Sequence, residues 1–177
     1  MAARINKINT LFNGGFEIIM SDDTVDNLES SLDSYKKEIL EVNKGSLEWE
    51  KDLIFNARTQ MGYEVEFDAN LQWGCAPTET LLMSVAGCMA IDVFYFLKKM
   101  RADISSFRID FTGIRKPDPP QYYKSIDLHI QVSGDNVTPK KLDRSISLSH
   151  DIYCSVYNAL RKDIEVNVNY TINEKKD

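Results

Sequence analysis

The feature that most constrains this chain is its longest apolar run, Leu81 to Leu97, which holds Cys88 at its middle and Asp92 as its one charged residue. Extended to Thr78–Met100, it approaches the length that a bilayer requires. Glu79 at its head, Asp92 inside it and the alternating segments on either side point instead to a buried central helix. A helix apolar on nearly every side cannot be covered by one sheet face alone. Either a second sheet or a second copy of the protein must enclose it, so an intimate homodimer is expected.

The flanks read as strands. Leu47 and Trp49, then Leu53 and Phe55, then Tyr63, Val65 and Phe67 alternate with polar neighbours, with Gly62 near a turn. Beyond the helix, Phe107, Ile109 and Phe111 alternate, as do Ile126, Leu128, Ile130 and Val132, with the stiff Lys116–Pro120 loop between them. Thr138-Pro139 starts a helix, proline being favoured at the first helical position. That helix is expected to run to about Ser147, and a further one from Ser149 to Arg161 carries Cys154. A last strand alternates from Ile164 to Ile172. Strands, a buried helix, then strands and helices again give an α+β fold with antiparallel sheet.

Residues 1–45 differ in texture and read as an N-terminal extension to a domain spanning 46–177. Val25, Leu28, Leu32, Tyr35, Ile39 and Val42 are spaced by three and four, the stripe of an amphipathic helix over 22–43. Asp22, Asp23 and Asp26 at its start and Lys36, Lys37 and Lys44 towards its end complement the helix dipole. Such a helix packs on its own domain or forms a short dimer seam. Before it, Asn13-Gly14-Gly15 suggests a small hairpin.

A net charge of −6 argues against nucleic acid, which needs clustered Lys and Arg, and against an anionic membrane surface. Lys98-Lys99 and Lys140-Lys141 read as solvated helix faces. With no apolar stretch behind Arg4 and Lys7, no signal peptide is visible, and a reducing cytoplasmic setting is expected. There, a disulfide among the three cysteines would be transient and catalytic.

Cys88 follows Gly87 and has Ser84, Ala86 and Ala90 around it, which leaves room for a neighbour. A buried cysteine is either inert packing or, if a base or cation ionises it, a selective nucleophile. Glu79 follows Pro77 at the helix start, where it can cap the helix or orient a guanidinium. Arg58 is the local candidate for that guanidinium. No Cys-x-x-Cys pair exists, so a zinc site built with His129 or His150 fails on spacing, and no cofactor is indicated. Asp92 reads as a cap or a dimer hydrogen-bond partner rather than a second catalytic acid, and Cys75 as an incidental half-buried thiol or a third competing one.

Two segments carry a resemblance. Gly74-Cys75-Ala76-Pro77-Thr78-Glu79 leading into Gly87-Cys88-Met89-Ala90-Ile91-Asp92-Val93, and Leu148-Ser149-His150-Asp151-Ile152-Tyr153-Cys154-Ser155-Val156, resemble the OsmC/Ohr family. Cys154 falls 66 residues after Cys88, about where that family places its partner thiol. The resemblance covers roughly Leu47 to Ile172. It implies an intertwined homodimer with two sheets wrapped around paired central helices. It also implies a thiol-dependent peroxidase for organic hydroperoxides, a defence against oxidative stress. Cys88 would form a sulfenic acid, Cys154 would resolve it as a disulfide, and an external thiol (a dithiol or lipoyl-type reductant) would restore the pair. Glu79 matches the family glutamate. The family's peroxidase branch carries its arginine in a Gly-rich turn that Asn56–Gly62 does not reproduce, leaving Arg58 as the candidate. A different class of function, a non-enzymatic redox sensor or a binding protein for an apolar small molecule, fits the same fold.

Overall fold

The computed structural model describes Leu28, Leu32, Tyr35, Lys36 and residues 39–174. Three strands open the described part: β1 (Gly45–Lys51), β2 (Ile54–Thr59) and β3 (Glu64–Asp68), an antiparallel meander in the order β1-β2-β3. Gly62 takes φ 86° in the β2–β3 connection, a conformation that glycine adopts without steric cost. Asp68 then ties down the following loop, its carboxylate accepting from the backbone N–H groups of Asn70, Gln72 and Trp73. Those bonds hold its carboxyl below the usual carboxylate range.

The apolar run forms one helix, α1 (Pro77–Lys99). Proline at its first turn fits the missing N–H, and Glu79 Oε2 accepts from the Ala76 N–H at 2.8 Å. Leu82, Val85, Ala86, Met89, Val93, Phe96 and Leu97 recur at helical spacing and are buried. They face a second sheet, in the order β4-β5-β6, made of β4 (Asp103–Arg115), β5 (Tyr123–Asp135) and β6 (Glu165–Asn173). From β5 the side chains of Ile126, Leu128, Ile130 and Val132 point into this core. At about 1.5–3 kcal/mol for each fully buried large aliphatic side chain, this face is what holds α1 on the sheet. The Tyr123 hydroxyl pins the arrangement by donating to the Thr78 carbonyl at 2.9 Å.

Among the described residues, the opposite face of α1 is open. Leu81, Met83, Ile91 and Phe94 are exposed apolar residues, and a Cβ built on Gly87 would meet nothing within 4 Å. Among the described residues, nothing covers the first sheet, and Leu47, Trp49, Leu53 and Tyr63 are all exposed. By length and composition α1 also meets the requirements of a membrane span, yet it buries a carboxylate and packs on β4 and on the helix after β5.

Four expectations need correction. β6 pairs with β5 in parallel, so the second sheet is mixed. The crossover supplied by α2 (Pro139–Leu148) and the segment after it provides the length that a parallel pairing requires. The expected helix over Ser149–Arg161 is broken: Ser149–Tyr153 forms one π-turn, Cys154 is extended at φ −74° and ψ 97°, and a short α3 covers Ser155–Ala159. Lys141 is 1% exposed instead of solvated, its Nζ donating to the Asn136 carbonyl at 3.1 Å. The amphipathic helix does not reach its expected end: Tyr35 and Lys36 lie in a turn, Lys36 at φ 56°, and over 39–43 the chain is irregular, with Ile39, Leu40 and Val42 exposed. Of its stripe, Leu28 and Leu32 are buried in the same core as α1, and Tyr35 packs against it. The rest of that helix and the proposed hairpin at 13–15 lie outside the described residues.

Candidate active site

Cys88 lies half-buried on α1, and Asp92 one turn later is fully buried. The break in the crossover brings Cys154 to them. The Cys154 N–H bonds the Ser149 carbonyl at 2.8 Å, an i to i−5 link, and the widened turn ends in extended backbone at Cys154. The Cys88 and Cys154 sulfurs and an Asp92 carboxylate oxygen all lie within 4.8 Å of one another. With a disulfide bond near 2.05 Å, joining the sulfurs means an approach of at most about 2.8 Å.

The two thiols differ in environment. Cys154 is fully buried, and its Sγ accepts from the Tyr157 N–H at 3.4 Å. Burial pushes its thiol up to about 12, outweighing that hydrogen bond, while the neighbouring Cys88 and Asp92 add to the rise. Cys154 is therefore held as a neutral thiol at neutral pH, and Cys88 is the member of the pair open to a small molecule.

Asp92 is the hub of the site, and this corrects its reading as a helix cap. Oδ1 accepts from the Tyr35 hydroxyl at 2.6 Å and pairs with the Lys36 ammonium at 2.6 Å, while Oδ2 accepts from the Ser149 hydroxyl at 3.0 Å. Tyr35 is fixed by stacking on Tyr95 with ring centroids 4.2 Å apart, and by edge contacts with Phe96 and Tyr153. Its phenol is raised by burial and by Asp92, so it stays a hydrogen-bond donor. Lys36 also donates to the Tyr153 carbonyl at 2.8 Å. Two thiols and a carboxylate make part of a metal-ligand set, but the carboxylate oxygens are already committed to these three partners.

The structure does not bring Glu79 and Arg58 to the thiols within the chain. Glu79 precedes Cys88 by nine residues of one helix, about 13.5 Å along its axis. It is exposed and engaged in capping. Arg58 lies on the exposed first sheet, ion-paired with Glu64 across the β2–β3 turn. Cys75 is also apart, its thiol 3.1 Å from the Thr80 hydroxyl beside the start of α1. Tyr35, Lys36 and Ser149 were not foreseen as site residues. The signal that pointed to them was Asp92 itself, a carboxylate in an apolar helix that has to find buried donors.

Comparisons with known proteins were consistent with one another. The family model for OsmC-like proteins matches residues 68–169, a span that holds Cys88, Asp92, Ser149 and Cys154. Protein YhfA of Escherichia coli K12 is 30% identical over 127 residues, covering 71% of this chain and 95% of its own length. A crystal structure of a hypothetical protein from Aquifex aeolicus VF5 superposes with a TM-score of 0.70 at 26% identity, over 77% of this chain and all of that one. The organic hydroperoxide resistance protein OhrB of Bacillus subtilis shares the fold, with a TM-score of 0.54 at 16% identity over 75% of this chain and all of its own.

Proposed function

The chain belongs to the OsmC-like protein family, and on that footing we propose that it is a thiol-dependent reductase of organic hydroperoxides. The observation that carries this reading is the pair itself, an accessible Cys88 with a buried Cys154 within 4.8 Å of it. The Cys88 thiolate attacks the distal oxygen of the hydroperoxide. The O–O bond breaks, Cys88 becomes a sulfenic acid, and the alkoxide leaves as an alcohol after taking a proton. Cys154 then condenses with the sulfenic acid, forming the disulfide and releasing water. Two thiol equivalents from an external reductant return both cysteines. The apolar surroundings of Cys88 favour an alkyl hydroperoxide over hydrogen peroxide by burying the alkyl tail. The organic hydroperoxide resistance named for the Bacillus subtilis neighbour is in keeping with this chemistry.

We further propose that the working form is a homodimer in cytoplasm, as the sequence led one to expect. The exposed Leu81, Gly87 and Ile91 face of α1 and the uncovered apolar side of the first sheet supply surfaces that a second copy would bury. The dimer is also the setting in which Glu79 and Arg58 would act, since within one chain they stay apart from the thiols.

That separation favours a second reading, a redox sensor that is oxidised once without cycling. Turnover separates the two. With excess dithiol and an alkyl hydroperoxide such as tert-butyl hydroperoxide, the enzyme should consume many equivalents per chain. Consumption that stops after one equivalent would leave the sensor reading standing and end the peroxidase one.

A further inference from the structure

A buried carboxylate within 4.8 Å of a thiol opposes its ionisation, because a thiolate beside it would put two like charges in one dry site. Asp92 sits in that position, fully buried. The cation that offsets it comes from outside the span matched to the family, since Lys36 lies upstream of residue 68. Lys36 is held in the left-handed region at φ 56°, a strained conformation for a non-glycine residue that persists only where surrounding contacts enforce it. Those contacts are visible: the Asp92 carboxylate at 2.6 Å, the Tyr153 carbonyl at 2.8 Å, and the Tyr35 ring next in sequence, stacked on Tyr95.

We propose that Lys36 is a positioning residue of the thiol site, whose ammonium, docked on Asp92, cancels the buried carboxylate and so permits Cys88 to ionise. The proposal rests on Cys88 being the nucleophile of the site described above. It assigns the N-terminal segment a chemical part in the site besides its packing role. The charge balance involves few groups. Among the described residues, Asp92 from α1 and Tyr157 from the crossover lie against the thiols, Tyr35 and Lys36 from the N-terminal segment contact Asp92, Tyr95 and Tyr153 contact Tyr35, and the His150–Asp151 pair, with Arg144 near it, lies beyond Tyr157. The opposed full charges in contact at the centre are Asp92 and Lys36.

The pair makes the test two-sided. In a full-length Cys75→Ser, Cys154→Ser background, Cys88 is the one thiol left. Its ionisation is read from the pH dependence of alkylation by iodoacetamide, with no peroxide present. Lys36→Met uncovers the carboxylate and should move the inflection up by about one pH unit, making alkylation at pH 7 about tenfold slower. Lys36→Arg should restore it. Asp92→Asn keeps an oxygen for Tyr35 and Lys36 and offers its amide to the Ser149 oxygen, while Tyr153 still anchors the ammonium. An unbalanced cation then faces the thiol, so the inflection should move down. A loosened fold would drive both variants the same way, towards an ordinary thiol. Opposite shifts support the proposal; equal shifts, or no shift, overturn it. Because no peroxide is used, this outcome is independent of whether the protein turns over hydroperoxides.

Discussion

Replacing Cys88 by serine should lower hydroperoxide consumption in the presence of a dithiol by at least about a thousandfold, leaving the fold intact. The size of the effect follows from the chemistry. A hydroxyl is far less ionised than a thiol at neutral pH, and a serine oxygen has no counterpart to the sulfenic acid that carries the oxidising equivalent. The substitution is nearly isosteric at a half-buried position, so circular dichroism and the unfolding midpoint should hardly change. Cys154→Ser should behave differently. It retains the first oxidation step, because Cys88 performs it, but accumulates the sulfenic acid and over-oxidises under repeated peroxide. A Cys88→Ser variant that works as well as the parent would remove the basis of the mechanism.

The largest stability effect should come from Asp92→Ala, which is expected to cost about 2–4 kcal/mol. The variant leaves the Tyr35 and Ser149 hydroxyls without their acceptor inside the core and strips Lys36 of its partner. Lys36 keeps 30% of its side chain exposed and can turn towards water, which places the cost below that of a fully buried orphan charge. Asp92→Asn, which retains the hydrogen bonds, should lose much less. Urea unfolding of the three proteins measures this directly. If alanine and asparagine prove equally mild, the carboxylate is not the hub that joins α1, the crossover and the N-terminal segment.

Much of this architecture was legible in the residues because burial leaves a periodic trace. The alternation at Ile126–Val132 and the helical spacing from Leu82 to Leu97 both match the observed buried faces. Cys88 and Cys154 could be paired through the family resemblance, and the fold does place their sulfurs together. Local pattern says less about features fixed by contacts between distant segments. The break at Cys154 depends on a π-turn anchored through Ser149 to Asp92, so the apolar period simply continues through it. The parallel pairing of β6 is a matter of crossover geometry, since a strand buried beside β5 shows the same alternation in either direction. Lys36 was legible only as one of three lysines, with Lys37 and Lys44, complementing a helix dipole, and nothing local to it points to the distant Asp92 that it pairs with. Arg58 stood out by type and neighbourhood, whereas within the chain an adjacent strand satisfies it with Glu64.

The central claim is that Cys88 and Cys154 form one redox pair, and its most direct test is the identity of the disulfide. The reduced protein would be treated with one equivalent of an alkyl hydroperoxide, blocked with an alkylating agent, digested without reductant and mapped by mass spectrometry. The account predicts a single intrachain bond joining the Cys88 and Cys154 peptides, with Cys75 recovered alkylated. A bond through Cys75, a Cys88–Cys88 bond between two chains, or oxidation that leaves Cys154 a free thiol would contradict it.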